Sequence, residues 1–193
     1  MRKTDLYRQV AQLHIANINQ GFLATLGEEF VSLMYQAIDK DQNSILLVEE
    51  RDGHVVGFVS GGLGMGSVYR QMLRSPFRLG WSLLPSMFRP RRILRIIEIL
   101  RYSRGAGGEK GLPATELLSI AVASSARGTG VAESLYRRLA TAFHERGLDA
   151  FKITVGDSLA PAHRFYRRMG AEPAGKIEVH RGESSTVYVH RTK

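Results

Sequence analysis

The chain of 193 residues is 44% hydrophobic and 23% charged, with a formal net charge of +9 and no cysteine. This size and composition suit one globular domain with its own core, and the lack of cysteine excludes disulfides, zinc-thiolate centres and a catalytic thiol. Because the N-terminus lacks an apolar signal segment and no run of about 18 apolar residues occurs, we expect a cytoplasmic protein.

Two amphipathic helices are predicted at the start of the chain. The first has Thr4 as its N-cap, and its apolar face is formed by Leu6, Val10, Leu13 and Ala16. Gly21 and Phe22 then break the helical pattern. Thr25 and Glu28 have the spacing of a capping box for the second helix. The apolar face of that helix is formed by Phe30, Leu33, Met34, Ala37 and Ile38.

A β-hairpin is predicted next. Residues 44–50 and 54–60 are apolar and β-branched, and the Asp52-Gly53 pair between them favours the positive-φ turn of a tight hairpin. The hairpin is followed by four closely spaced glycines, Gly61, Gly62, Gly64 and Gly66. No βαβ unit surrounds these glycines, so a flexible exit from the strand is favoured over the alternative of a nucleotide-binding loop.

The positive charge is concentrated in one segment. Residues 66–104 hold one acid, Glu98, against nine arginines, at positions 70, 74, 78, 89, 91, 92, 95, 101 and 104. Apolar residues are interleaved with these arginines, and Pro76, Pro85 and Pro90 divide the segment into short helices. We interpret residues 66–112 as a basic helical insertion that ends in a Gly-rich loop.

Two interpretations of this insertion stay open. Arginines mixed with Trp81 and Phe88 suit an interfacial segment that binds an anionic membrane surface or a lipid-linked substrate. The alternative is a helical subdomain that packs on the sheet, or on a second subunit in a homodimer, and leaves its arginines in solvent. Nucleic acid is an unlikely partner by comparison, since the segment is rich in apolar residues and lacks a reading motif.

The centre of the sequence passes from a strand through a Gly-rich turn into a helix. The strand is predicted from Leu117, Leu118, Ile120 and Val122, and the helix from Val131, Leu135, Leu139 and Phe143. Glycines in the intervening residues 127–132 let the backbone approach a ligand closely. The first helical turn leaves N–H groups unpaired at the positive end of the helix dipole, which favours a bound phosphate. A plain structural turn is the alternative.

The C-terminal part of the chain continues with a strand, a helix and a hairpin. Gly147 is predicted to end the central helix, and residues 150–155 form a strand parallel to the previous one through a right-handed crossover. Pro161 belongs to the first turn of the next helix. Residues 172–180 and 185–190 are predicted to pair as a closing hairpin.

Two blocks of the sequence resemble the GNAT superfamily of N-acetyltransferases. The first, Leu118-x-Ile120-x-Val122 followed by Arg127, Gly130 and Ala132, resembles the acyl-CoA-binding core, which the family writes as a strand and R/Q-x-x-G-x-G/A. The second block, residues 164–171, resembles the late helix that carries a tyrosine and ends in glycine. The resemblance covers residues 115–175 well, and residues 1–64 only in the order of their elements.

The resemblance implies a mixed α+β fold in three α/β/α layers. Its central sheet would be mostly antiparallel, with one splayed parallel strand pair, in a single acetyltransferase domain over residues 1–193. The co-substrate would be acetyl-CoA, without a metal, and the histidines show no metal-ligand spacing. The expected cofactor-binding residues are Ile120, Ala121, Val122, Arg127, Gly128, Thr129, Gly130, Val131, Ala132, Leu159 and Phe165.

The resemblance also implies a chemistry in which an amine attacks a thioester directly. Glu116 matches the position of the catalytic base and is expected to point with Leu118 and Ile120, while a backbone N–H in a bulge near Val122 would meet the oxyanion. Tyr166 would protonate or hydrogen-bond the leaving thiolate. The alternatives are a solvated carboxylate for Glu116 and a half-buried packing residue for Tyr166.

The sequence departs from the family at one position of the cofactor side. Leu159 stands seven residues before Tyr166, where the family usually has Asn, and Asp157 and Ser158 are the nearby polar candidates to replace it.

From the resemblance we expect an N-acetyltransferase that acts on a small primary amine, with an anionic or sugar-linked acceptor favoured by the basic insertion. The alternative is a non-catalytic acyl-CoA-binding module that docks on a membrane or partner through its arginines.

Overall fold

The computed structural model describes residues 3–18, 25–74, 79–80, 111–180 and 183–192. In chain order its elements are α1 Lys3–Asn17, α2 Glu28–Lys40, β1 Ser44–Arg51, β2 His54–Gly62, α3 Gly66–Leu73, β3 Glu116–Val122, α4 Val131–Glu145, β4 Ala150–Gly156, α5 Ala160–Arg168, β5 Glu172–His180 and β6 Glu183–Arg191. The predicted break at Gly21 and Phe22 and most of the basic insertion, with its three prolines, lie outside the described residues.

The six strands form one mixed sheet in the order β1-β2-β3-β4-β6-β5. The β3–β4 pair is parallel and the other four neighbouring pairs are antiparallel. The mostly antiparallel sheet with one parallel pair confirms the predicted mixed α+β fold class. The strand order also confirms the crossover from β3 through α4 to β4.

Helices cover both faces of the sheet. On one face α1, α2 and α3 share a core with Phe58 and Ala121, and on the other α4 and α5 share a core with Phe151, Ile153 and Tyr188. The three predicted layers are therefore confirmed. Among the described residues no helix is both long enough and apolar enough to span a membrane.

The buried face of α1 differs from the prediction. Its buried side chains are Tyr7, Val10, Ala11 and His14, whereas Leu6 and Leu13 are partly buried and Ala16 is exposed. The buried set follows i, i+3, i+4 and i+7, so the helical period was predicted correctly but its phase was rotated. Tyr7 and His14 carry polar atoms, and for this reason the apolar pattern passed over them.

Both predicted helix caps are wrong. Because α1 already includes Lys3, Thr4 lies in its first turn and is not its N-cap. The N-cap of α2 is Gly27 with φ 93°, and it makes no side-chain cap hydrogen bond. Thr25 belongs to a short 3-10 turn before it. The positive φ, which glycine adopts without strain, redirects the chain into α2 two residues after the predicted start.

The first hairpin is confirmed, and Gly61 within it serves packing. Asp52 and Gly53 have φ values of 51° and 75°, as the tight turn requires. Gly61 lies within β2, where an added Cβ would stand 2.6 Å from Phe143 Cζ and 2.9 Å from the Glu116 carbonyl oxygen. Gly61 is therefore neither a flexible exit from the strand nor part of a nucleotide-binding loop. Its lack of a side chain lets α4 and β3 pack closely against β2.

The predictions for the C-terminal elements are confirmed. Gly147, with φ 72°, ends α4 in a Schellman motif: its N–H donates to His144 O at 2.8 Å, and that of Leu148 donates to Phe143 O at 3.0 Å. Pro161 lies in the first turn of α5. Strands β5 and β6 pair as the expected antiparallel hairpin.

Candidate active site

The parallel strands β3 and β4 separate beyond their first residues. Their register pairs Glu116 with Lys152, supported by a hydrogen bond of 2.8 Å from Lys152 N–H to Thr115 O. Beyond this point β3 continues along β2 as far as Val122, while β4 continues along β6 as far as Gly156. Backbone groups on the facing edges of the two strands are therefore available to an extended ligand.

A β-bulge in β3 decides which face of the sheet carries Glu116. Opposite the consecutive residues Ser60 and Gly61, the β3 partners are Ser119 and Leu117, so Leu118 is the extra residue. The bulge therefore lies near the middle of β3 and not near Val122, where the resemblance had placed it. Because of the extra residue, the side-chain alternation reverses at this point.

The reversal separates Glu116 from Ile120. Ile120 and Val122 pack on the core of α4 and α5, whereas Ala121 belongs to the core of α1 and α2. Glu116 Oε1 accepts a hydrogen bond of 3.4 Å from Thr154 Oγ1, and Thr154 alternates along β4 with core residues of the α4 face. The Glu116 carboxylate thus lies on the α1 and α2 side, and the expectation that it points with Ile120 is wrong.

The surroundings of Glu116 act on its pKa in opposite directions. Burial raises the pKa of the carboxyl above its ordinary value, while the positive charge of Lys152 and the hydrogen bond from Thr154 lower it. Burial is the largest of these effects. A carboxylate with a raised pKa is a stronger base than a solvated one, which suits proton removal from an amine.

A chain of buried and partly buried hydrogen bonds lies on the same face of the sheet. Ser119 Oγ lies 2.7 Å from Ser60 Oγ and 2.9 Å from Tyr35 Oη, and Tyr35 Oη lies 2.6 Å from His14 Nδ1. Burial lowers the pKa of His14 to about 4, so its imidazole is neutral at pH 7. The chain fixes α1 and α2 against β2 and β3 on the side that carries the Glu116 carboxylate.

The turn at the start of α4 has the backbone geometry expected of an anion site. Gly128 and Gly130 have φ values of 74° and 81°, and Gly130 is the N-cap of α4 without a side-chain cap. Thr129 Oγ1 donates to Ala126 O at 2.8 Å and so braces the turn internally. Gly130 supplies no side-chain cap, and Glu133 accepts a hydrogen bond from its own backbone N–H, so the preceding N–H groups of the first turn are the ones placed to meet a phosphate.

The Arg127 side chain turns away from this helix start. Its Nε donates to Val122 O at 3.4 Å, and its Nη2 donates to Asn17 Oδ1 at the end of α1. In this conformation the guanidinium joins the end of β3 to α1. The turn then offers an anion only its backbone N–H groups.

An ion pair joins the first turn of α4 to the end of α5. Arg168 Nη2 lies 2.6 Å from Glu133 Oε1, and the guanidinium lies over the Phe165 ring, 5.7 Å from its centroid. The backbone N–H of Glu133 lowers the pKa of its own carboxyl most, and the hydrogen bond from Arg168 adds to this effect. Sequence analysis did not single out this pair, which brings a cation beside the predicted cofactor-binding turn.

Tyr166 lies on α5 among other aromatic rings. It is 6% exposed, and its ring centroid lies 5.2 Å from that of Phe165, 6.1 Å from Tyr136 and 6.4 Å from Tyr188. Burial raises the pKa of its phenol above the ordinary value. A phenol of raised pKa holds its proton at pH 7, so it is suited to donate a hydrogen bond.

The turn between β4 and α5 contains Leu159, which stands where the family usually has Asn. Leu159 is 40% exposed, and the neighbouring Asp157 carboxylate accepts hydrogen bonds from Lys176 Nζ at 2.9 Å and from Thr186 Oγ1 at 2.7 Å. These bonds lower the pKa of Asp157 to about 2, and the bond from Lys176 has the largest effect. Asp157 therefore joins β5 and β6 to this turn.

With this geometry established, comparison with known proteins gives the family. The family model for GNAT acetyltransferases matches residues 14–171, which is most of the chain. The chain belongs to the GNAT family of acetyltransferases. A search of curated proteins gives no significant match.

Several solved structures share the GNAT fold with this chain at low sequence identity. An N-acetyltransferase from Staphylococcus aureus Mu50 matches with a TM-score of 0.60 and 17% identity over 100% of this chain and 96% of its own. An aminoglycoside 6'-N-acetyltransferase complexed with coenzyme A matches with a TM-score of 0.62 and 12% identity over 97% and 91% of the two chains. A putative GNAT acetyltransferase from Desulfovibrio desulfuricans gives 0.59 and 13% over 95% and 92%.

Several residues around the site escaped the sequence analysis. Lys152 and Thr154 alternate on one face of β4, and this pattern was readable in the sequence, but the partner strand and register were not. His163 and Tyr188 are linked by a hydrogen bond of 2.8 Å between residues 25 positions apart in sequence. No local pattern could have shown that contact.

Proposed function

We propose that this GNAT protein transfers the acetyl group of acetyl-CoA to a primary amine by direct attack. The proposal rests on one observation: β3 and β4 separate beyond the Glu116 and Lys152 pair, and β3 leads to the glycine-opened start of α4. Such a gap can take an extended thioester along the β3 edge, and the helix start can take its diphosphate. The neighbouring fold with coenzyme A bound supports acetyl-CoA as the donor.

Glu116 is proposed to act as the base, directly or through a water. If the acceptor has a pKa near that of lysine, about one amine in a thousand is neutral at pH 7, so a base accelerates the reaction. The raised pKa of the buried Glu116 carboxyl and its place beside the β3–β4 gap support this role.

Tyr166 is proposed to stabilise the departing thiolate. The amine nitrogen bonds to the acetyl carbon, the carbon–sulfur bond breaks, and the amine proton passes to Glu116. Because burial raises the pKa of the phenol, Tyr166 donates a hydrogen bond to the thiolate more readily than it gives up its proton. The thiolate then takes a proton from solvent and leaves as coenzyme A, and Glu116 returns its proton to solvent.

The acceptor is proposed to be an anionic or sugar-linked amine. Nine arginines against one glutamate in residues 66–104 give this segment a strongly positive charge, which attracts anions and repels polycationic acceptors. A sugar nucleotide with a free amine and a lipid-linked aminosugar both have this chemistry.

Titration calorimetry with acetyl-CoA, followed by turnover with a panel of acceptors, tests the proposal. Release of coenzyme A can be followed with a thiol reagent, since the protein has no cysteine to react. We expect acetyl-CoA binding that Gly130→Glu abolishes, and faster turnover of UDP-aminosugars than of polyamines or lysine peptides. Preference for polyamines would contradict the acceptor class, and binding with no turnover of any acceptor would favour the non-catalytic module.

The two catalytic assignments are tested by Glu116→Gln and Tyr166→Phe. Each variant should lower kcat, by about 100-fold or more for the loss of a general base, while acetyl-CoA binding stays near that of the wild type. If both variants turn over at the wild-type rate, the fold binds acetyl-CoA but these residues do not carry the chemistry.

A further inference from the structure

His163 occupies a joint where three elements meet. Its Nε2 lies 3.1 Å from Gly156 O at the end of β4, and its Nδ1 lies 2.8 Å from Tyr188 Oη on β6. A carbonyl oxygen only accepts hydrogen bonds, so Nε2 carries the proton. In the neutral ring Nδ1 is then the acceptor, and the Tyr188 hydroxyl donates to it.

The same joint closes the turn that leads into α5. Gly156 O also accepts a hydrogen bond of 2.9 Å from Leu159 N–H, and the N–H of His163 donates to Leu159 O at 3.2 Å. Position 159 is where the resemblance expects an Asn side chain, and Leu159 offers only its backbone groups. His163 therefore supplies a polar side chain that holds this turn from α5, while Asp157 joins it to β5 and β6.

The joint lies next to the proposed thiolate partner. His163 is three residues before Tyr166 on α5, and the Tyr188 ring contacts both, with centroids 5.7 Å from His163 and 6.4 Å from Tyr166. Tyr188 is 0% exposed, so it has a fixed place in the core. A shift of α5 relative to β4 and β6 would move the Tyr166 hydroxyl relative to the β3–β4 gap.

We infer that His163 and Tyr188 are positioning residues that set Tyr166 for its contact with the leaving thiolate. The inference rests on the proposed function of Tyr166. The pair acts through geometry alone: Tyr188 orients the His163 ring, and the ring fixes the distance between the end of β4 and α5. A displacement of about 1 Å in such a group can cost up to 100-fold in rate.

A kinetic double-mutant cycle between Tyr188→Phe and Tyr166→Phe tests this inference. Tyr188→Phe keeps the ring and removes the hydroxyl that donates to His163. We expect it to lower kcat about tenfold in the wild type, to leave the KM for acetyl-CoA unchanged, and to have almost no further effect in the Tyr166→Phe background. Equal loss in both backgrounds would overturn the inference.

Two further variants separate positioning from loss of stability. Val10→Ala shortens a fully buried side chain of α1 in the core on the other face of the sheet from Tyr188, so it should lower the Tm and leave kcat unchanged. His163→Gln retains an N–H that can reach Gly156 O, and we expect a higher kcat than for His163→Ala at equal Tm. If wild-type protein neither binds acetyl-CoA nor turns it over, the proposed function fails; additivity in an active enzyme overturns only the positioning role.

Discussion

Glu116 is held between effects that oppose each other. Burial favours its protonated form, and Lys152 and Thr154 favour its charged form. The proposed base is active only when it is deprotonated, so the acid limb of the pH–rate profile should report its pKa.

Thr154→Val should move that acid limb to higher pH. Valine has nearly the shape of threonine but cannot donate the 3.4 Å hydrogen bond to Glu116 Oε1, so the charged form loses a stabilising contact. The measurement is kcat/KM against pH for wild type and variant. Thr186→Val, which removes the hydrogen bond to Asp157 instead, is the matched control. An acid limb that does not move, or moves down, would speak against Glu116 as the titrating base.

His14 should make the protein less stable in acid. Burial lowers its folded-state pKa to about 4 from the ordinary 6.5, so the unfolded chain binds a proton more readily within this interval. The contribution is fully present above pH 6.5 and is lost as pH falls toward 4, with a slope of at most about 1.4 kcal/mol per pH unit. Burial lowers the pKa of His190 as well, so the comparison must isolate His14.

Urea unfolding of wild type and His14→Leu across this interval isolates the effect. The free energy of unfolding of the wild type minus that of His14→Leu should decrease as the pH falls, because leucine does not titrate. The exposed His54→Gln is the matched control and should follow the wild type. Parallel curves for wild type and His14→Leu would show that His14 does not carry the acid sensitivity.

For single residues, the sequence predicted the candidate catalytic side chains but not the residues that contact them. Glu116 and Tyr166 were identified from motif position, and both lie in buried surroundings that shift their pKa values. Thr154 and Lys152 depend on the register between β3 and β4, which long-range packing decides. The same holds for the use of Asp157 by β5 and β6.

Among the elements, β2 and β3 are adapted to each other through one glycine and one bulge. The bulge at Leu118 reverses which face of the sheet the alternating side chains of β3 point to. Gly61 lies on β2 at the point where the register shifts. With no side chain at position 61, Phe143 of α4 approaches the β2 backbone closely.

Gly61→Ala should therefore destabilise the fold. Its Cβ would stand 2.6 Å from Phe143 Cζ and 2.9 Å from the Glu116 carbonyl oxygen, and the latter belongs to a backbone that cannot rotate away. Overpacking of this kind costs about 1–3 kcal/mol, and urea unfolding measures it. Gly175→Ala in β5, where no atom lies within 4 Å of the added Cβ, is the control and should stay close to wild type. Equal stability of the two variants would contradict the close-packing argument.

The elements themselves were largely predictable, but their junctions were less so. Asp52-Gly53 predicted the first hairpin, and Gly130 predicted the start of α4. Both turns need a positive φ, which few residues other than glycine adopt readily. The start of α2 at Gly27 was missed, since the Thr25 and Glu28 pattern offered a competing cap. The bulge at Leu118 left no local signal, because its extra residue is defined only by pairing with β2.

On the scale of the whole molecule, the proposed cofactor site lies where two parts of the sheet meet. Acetyl-CoA binding should slow hydrogen–deuterium exchange in residues 116–132 and 150–160, which border the gap, and leave residues 44–55 unchanged. Mass spectrometry of peptides with and without acetyl-CoA measures this. Protection confined to residues outside the two bordering segments would place the cofactor elsewhere.

The meeting of the two parts has a consequence for how the protein could be divided. Strands β1, β2 and β3 come from one continuous stretch of chain and β4, β6 and β5 from the next, and the parallel register that joins them is the Glu116 and Lys152 pair. Cutting the chain after Gly147 would yield two polypeptides, each with a complete half-sheet. Co-expressed, they should reassociate through the shared core of α4 and β4, and acetyl-CoA, if it binds at the proposed site between the two halves, should stabilise their complex.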